Sequence, residues 1–100
     1  MKLFTKAILA KIPPLYGQEN VSDPIVYVKL FCPWNSWTWY LTEYRPEEKL
    51  AFGWVCGQEE ELGYISVHEL EQVRGPGGLG IERDRWFKPM PLSKVKEKRP

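Results

Sequence analysis

The sequence predicts an α+β fold, an antiparallel sheet of three to five strands packed against two short helices. Three observations carry that expectation. Between Ile25 and Ile65 the chain holds four runs rich in β-branched and aromatic residues. The connections between these runs are about five residues long, too short for the crossovers that parallel pairing requires. On either side of them, two stretches carry apolar residues at helical spacing.

Phe4, Ile8 and Ile12 recur at i, i+4 while Lys6 and Lys11 fall elsewhere on the wheel, which predicts an amphipathic helix over residues 3–12. Pro13 and Pro14 end it, because proline donates no N–H and pushes the preceding residue out of the α region. After a loop through Gly17 and Asp23, Ile25 to Phe31 reads as a strand with Val26, Val28, Leu30 and Cys32 on its buried side. Pro33-Trp34-Asn35-Ser36 has turn chemistry, so the run from Trp37 to Tyr44 should pair antiparallel with the first strand. Leu50 to Cys56 gives a third strand and Leu62 to Ile65 a short fourth.

Ser66-Val67-His68-Glu69 fits a capping box, with the serine oxygen placed to accept the Glu69 N–H. The helix it opens should run to Arg74, bury Leu70 and Val73, and stop at Gly75-Pro76. Ile81 to Phe87 reads as a last short strand, followed by a proline- and lysine-rich tail. Residues 1–95 are thus expected to form one domain, with 96–100 a basic tail that frays.

A chain of 100 residues with 43% hydrophobic and 27% charged residues has the balance of an ordinary globule, which excludes wholesale disorder. No apolar run approaches the roughly 18 residues that cross a bilayer. Two cysteines without CxxC spacing, Cys32 and Cys56, predict reduced thiols in a cytoplasm and no disulfide framework.

Groups that would carry chemistry have more ordinary readings. His68 is the sole histidine, early in the second helix, where a partly exposed helix residue is the ordinary reading. The two cysteines sit on strand faces expected to be buried, and a zinc site would want four ligands in close pairs. Glu59-Glu60-Glu61 and Glu47-Glu48 lie on solvated turns and point in different directions. Gly75 to Gly80 is glycine-rich but lacks the GK[ST] ending of a phosphate loop and follows a helix. No catalytic residue, metal or cofactor is therefore expected.

Two excesses remain. Eight of the 14 aromatic residues fall between Phe31 and Trp54, and the five tryptophans are several times the usual share. Charge is also segregated, at +2 over residues 1–42, −6 over 43–71 and +5 over 72–100. Trp34 and Trp37 flank a turn where little core is within reach, so exposed indoles are expected there, over a sheet face that the helices leave open. The candidate partner-binding residues are Trp34, Trp37, Tyr40, Arg83, Arg85 and Lys88.

Several stretches, taken in order, are more specific than any one motif: Ile12-Pro13-Pro14-Leu15-Tyr16, Asp23 to Lys29, Trp37-Thr38-Trp39-Tyr40, Glu61-Leu62-Gly63-Tyr64, Val73-Arg74-Gly75, and Ile81-Glu82-Arg83-Asp84 leading to Phe87-Lys88-Pro89. In these the chain resembles a bacterial family known as domain of unknown function 2958, from the first helix to about Val95. The resemblance implies a small cytoplasmic accessory protein of a mobile genetic element such as a plasmid or phage. It brings no activity and no catalytic residues.

The expected function is binding without catalysis, to a host or element-encoded protein, and the family's genomic company adds inhibition of a host defence system by analogy. The alternative is a single-stranded nucleic-acid-binding module that stacks bases on Trp34, Trp37 and Tyr40 and holds phosphates with Arg83, Arg85 and Lys88. An open sheet edge leaves self-association available.

Overall fold

The computed structural model describes residues 3–99. Met1 and Lys2, at the start of the expected domain, and Pro100, at the end of the expected tail, lie outside the described residues.

In chain order the elements are α1 (Lys6–Lys11), β1 (Ile25–Val26), β2 (Val28–Phe31), β3 (Thr38–Arg45), β4 (Leu50–Cys56), β5 (Glu60–Ser66), α2 (Val67–Gln72), a 3₁₀ turn (Pro76–Gly78), β6 (Glu82–Arg83), β7 (Met90–Pro91) and α3 (Leu92–Lys98). One antiparallel sheet runs β5-β4-β3-β2-β6, and β1 pairs with β7 in a second, two-stranded sheet. The class is α+β, and the expected meander forms the body of the large sheet.

The caps follow the side-chain chemistry. Thr5 accepts the Ile8 N–H at 3.1 Å to start α1, and Ser66 accepts the Glu69 N–H at 3.2 Å to start α2. Arg74 closes α2 by donating to the carbonyls of Glu71 and Val73.

Cross-strand partners share a face, so the register assigns every strand residue to one of two layers. Val28, Leu30, Trp39, Leu41, Ala51 and Ile65 pack beneath Leu3, Ile12 and Val67, with Phe4, Ile8 and Leu70 half-buried against them. This is the layer expected under the two helices, although Val73 remains 36% exposed. Helix α1 is shorter than expected and contains no buried residue, and Leu3 and Ile12 do its anchoring from outside its ends.

The first strand is not continuous. It breaks at Tyr27, and the break turns Val26 into the opposite layer, away from Val28 and Leu30, where Ile25–Val26 find β7. A second irregularity lies in β3, where the register shifts between Leu41 and Glu43. Without it Glu43 would follow Trp39 and Leu41 under the helices. The shift moves Glu43 opposite Phe52 and returns Tyr44 to the helix-covered side, stacked on Phe4 at 4.2 Å.

The other sheet face is not the open aromatic surface that the sequence suggested. Helix α3, built from part of the expected tail, lays Leu92 and Val95 over Tyr40, Trp54 and Cys56. Its lysines disguise it, since the apolar contacts are only two, one turn apart. Lys96 and Arg99 complete the cover with their cations 5.3 and 5.7 Å from the Trp54 ring centre. Beyond the helix, Leu62 and Tyr64 of β5 stay exposed.

Candidate functional site

The run expected as a final strand, Ile81 to Phe87, pairs with β2 only through Glu82 and Arg83 and then turns. Asp84 makes the turn. Its backbone N–H donates to the Lys29 carbonyl at 2.9 Å, its Oδ1 accepts the Trp86 N–H at 2.9 Å, and its carbonyl accepts the Phe87 N–H at 3.3 Å. One foot of the turn is thus tied to the sheet. The other is held by Phe87, which packs beside Tyr40 with ring centres 6.2 Å apart. Between the two feet the chain presents Arg85 and Trp86, and Trp86 is 86% exposed.

Beside this turn lies a cleft of about 290 Å³, between α1, β2 and residues 83–89. Ile8, Tyr27 and Phe87 give it apolar walls, while Lys11, Lys29, Arg83 and Arg85 surround it with cations. The nearby acid is Asp84, 3.6 Å from Lys29 Nζ. The cleft thus sets apolar and aromatic walls beside several cations, a combination whose field is complementary to negative charge.

The structure gathers part of the expected set here. Arg83 and Arg85 line the cleft, and exposed Lys88 follows Phe87 in the chain. Tyr40 lies beneath, 5% exposed and stacked on Trp54 at 5.5 Å, so it is a supporting residue and not a contact surface. Trp34 and Trp37 belong to the hairpin turn and do not line the cleft. Trp34 is half-buried where a Cβ on Gly75 would come within 2.5 Å of its ring, and Trp37 lies over Gly57 and is 37% exposed.

The residue that reading the sequence missed is Trp86. Treating Ile81 to Phe87 as a strand assigned it to the sheet. The available signal was Asp84, an aspartate at the first position of a turn whose side chain satisfies the backbone two residues on.

Other reactive groups are dispersed. Cys32 and Cys56 are buried and reduced, and burial pushes the Cys56 thiol up, away from thiolate. His68 is exposed in the first turn of α2. Among the described residues no three His, Cys, Asp or Glu side chains gather as a metal-binding group, and no helix is long and apolar enough to cross a membrane.

A second surface shares no residue with the first. Tyr16, Val21, Phe52, Leu62 and Tyr64 line a cleft of about 490 Å³ between the loop before β1, the β5 edge and α3. Tyr64 donates its hydroxyl to that of Tyr16 at 3.2 Å, a bond that raises the Tyr64 phenol above its ordinary range. Arg45 stands 5.9 Å from the Tyr16 ring centre.

A family model described as a protein of unknown function, DUF2958, matches residues 4–98. Neither the curated proteins nor the solved structures give a match.

Proposed function

The chain belongs to the DUF2958 family of proteins of unknown function, and from that premise we propose that it is a non-enzymatic binding module that docks on an acidic protein surface through Trp86. The observation that carries this reading is an indole 86% exposed on a turn fixed at both feet. Tryptophan and arginine dominate interface hot spots, and a contact already held in its bound geometry loses little entropy on docking. Arg83, Arg85, Lys88 and the cations of the cleft supply complementarity to carboxylates at the rim. A cytoplasmic host protein, of the kind a mobile element must contend with, is the partner class that the family resemblance suggests, and inhibition of a host defence system is its narrower form.

Affinity capture with the wild type, Trp86→Ala, Arg85→Glu and Trp37→Ala tests it. The wild type and Trp37→Ala should retain the same acidic protein in stoichiometric amount. Trp86→Ala should lose about 2 kcal/mol of affinity or more. Equal retention by the wild type and Trp86→Ala would remove the proposal.

The basic, aromatic-walled cleft supports a second reading, single-stranded nucleic acid with a base on Trp86. This predicts fluorescence quenching on titration with oligothymidylate at low salt, an affinity falling with a slope of about 0.7 per phosphate held, and a loss of about 1–3 kcal/mol in Trp86→Ala. A flat titration excludes it.

A further inference from the structure

Among the described residues, strand β5 is an edge with β4 on one side only. All seven of its residues pair with β4 without a bulge, and it carries neither proline nor lysine, devices that commonly close a sheet edge. The hydrogen bonds at its two ends fix which groups face outward. Gly57 N–H donates to the Glu59 carbonyl at 3.1 Å, and Val67 N–H donates to the Lys49 carbonyl at 2.9 Å. The odd-numbered residues therefore bond inward to β4. Glu60, Leu62, Tyr64 and Ser66 turn their N–H and C=O groups to the open side.

We propose that this edge pairs with β5 of a second copy, antiparallel, about a two-fold axis through Gly63. That centre pairs every residue from 60 to 66, and it sets outward-bonding residues opposite one another: Leu62 against Tyr64 of the second copy, and Glu60 against Ser66. A shift by one residue would set outward groups against inward ones, and a shift by two would leave strand ends unpaired.

Side chains agree with that register. Leu62 and Tyr64, 53% and 56% exposed, sit at the outer ends of the cross-strand rows Tyr40–Trp54–Leu62 and Glu43–Phe52–Tyr64. Pairing joins each row to the other row of the second copy, so the aromatic ladder continues across the axis. Charge also selects the antiparallel direction. Glu60, already held by Arg99 at 3.2 Å, meets a serine, and Glu61 meets Ile65, whereas parallel pairing would lay the acidic ends side by side.

Gly63 has no use within one copy. A Cβ built there meets nothing within 4 Å, and its backbone is not left-handed. On the axis it forms a non-hydrogen-bonded pair with itself, where Cα atoms approach to about 4.5 Å. One strand pair makes a small interface, below roughly 1,200 Å², so association should be reversible.

Sedimentation equilibrium from micromolar to millimolar chain should show a concentration-dependent dimer. The double variant Leu62→Lys/Tyr64→Lys changes two exposed side chains, gives up the Tyr64–Tyr16 hydroxyl bond, and should remain monomeric with an unchanged far-ultraviolet circular dichroism spectrum. Gly63→Cys places thiols across the axis within disulfide reach, so it should cross-link under air at least ten times faster than Glu61→Cys. A wild type that is monomeric throughout, a dimer that survives the double lysine variant, or equal cross-linking of the two cysteine variants would each overturn the proposal.

Discussion

The Glu43 carboxylate accepts the backbone N–H of Tyr16, 27 positions earlier in the chain, at 2.8 Å. Its second oxygen accepts the Gln18 N–H at 2.9 Å, and the Gln18 side chain then bonds both backbone groups of Ile25 and the Thr42 carbonyl. A buried glutamate, 5% exposed, thereby satisfies donors in the loop before β1 that would otherwise lack partners. Glu43→Ala should cost about 2–4 kcal/mol, since charge-assisted bonds to two part-buried backbone donors are lost together. Glu43→Gln, which keeps one acceptor oxygen, should cost less. Urea midpoints measure both, and faster amide exchange at Tyr16 and Gln18 locates the effect. An alanine variant within 0.5 kcal/mol of wild type would contradict it.

Gly53 and Gly63 face each other across β4 and β5, yet they should respond oppositely to a methyl group. At Gly53 a Cβ would stand 2.0 Å from the Tyr40 carbonyl oxygen and 2.9 Å from the Leu41 Cα, backbone atoms of the central strand that cannot yield. Gly53→Ala should therefore cost about 3 kcal/mol or more. Gly63→Ala meets open space and should change stability by less than about 0.5 kcal/mol. Thermal melts of the two variants side by side check the contrast.

The sheet was legible because its signals are local. Alternation in Leu50 to Cys56, turn residues at Pro33 to Ser36 and the Ser66 cap each depend on a few neighbouring residues. What escaped depends on residues far apart in the chain. Leu92 and Val95 are too few to mark a helix among prolines and lysines, and α3 is fixed by Asp23, 70 positions earlier. The bulge at Leu41/Glu43 leaves no signature in TWYLTEYR, which reads equally well as an unbroken strand.

The exposed aromatic surface was half legible for the same reason. Counting aromatics gave the right expectation that a small interior cannot hide every indole, and Trp86 bears the excess. Their location was legible in part: Trp37 is exposed at the hairpin turn as expected, whereas Trp34 is half-buried and Tyr40 buried, because exposure is set by what packs on a face. Helix α3 covers Tyr40 and Trp54, and Gly75 and Gly57 make room for Trp34 and Trp37 to lie flat.

Both cysteines should behave as core side chains. Cys56 is fully enclosed, and burial raises its thiol, so little thiolate exists near neutral pH. Iodoacetamide labelling of native protein should be slow at Cys32 and Cys56 alike, and should accelerate with the same urea midpoint as the loss of tryptophan signal. Rapid labelling of either thiol in folded protein would reveal an opening that the packing does not contain.

Asp23 gives stability a defined acid limb. Its Oδ2 accepts the Ser93 hydroxyl at 2.6 Å and its Oδ1 accepts the Ser93 N–H at 2.9 Å, tying the loop before β1 to the first turn of α3. The hydroxyl bond, then the backbone bond, and the charge of Lys96 hold the carboxyl below the ordinary aspartate range. A carboxyl with a lowered folded pKa binds protons more readily when unfolded. Its contribution is therefore complete above the unfolded aspartate value and drains away as pH falls through the folded one. The melting-temperature difference between wild type and Asp23→Asn should be level from about pH 7 to about pH 5, then shrink below about pH 4. Ser93→Ala, which removes the largest cause of the shift, should shrink its own deficit over the same range. A wild-type advantage over Asp23→Asn that stays constant to pH 2 would show that the carboxylate charge has no part in holding α3 against the sheet.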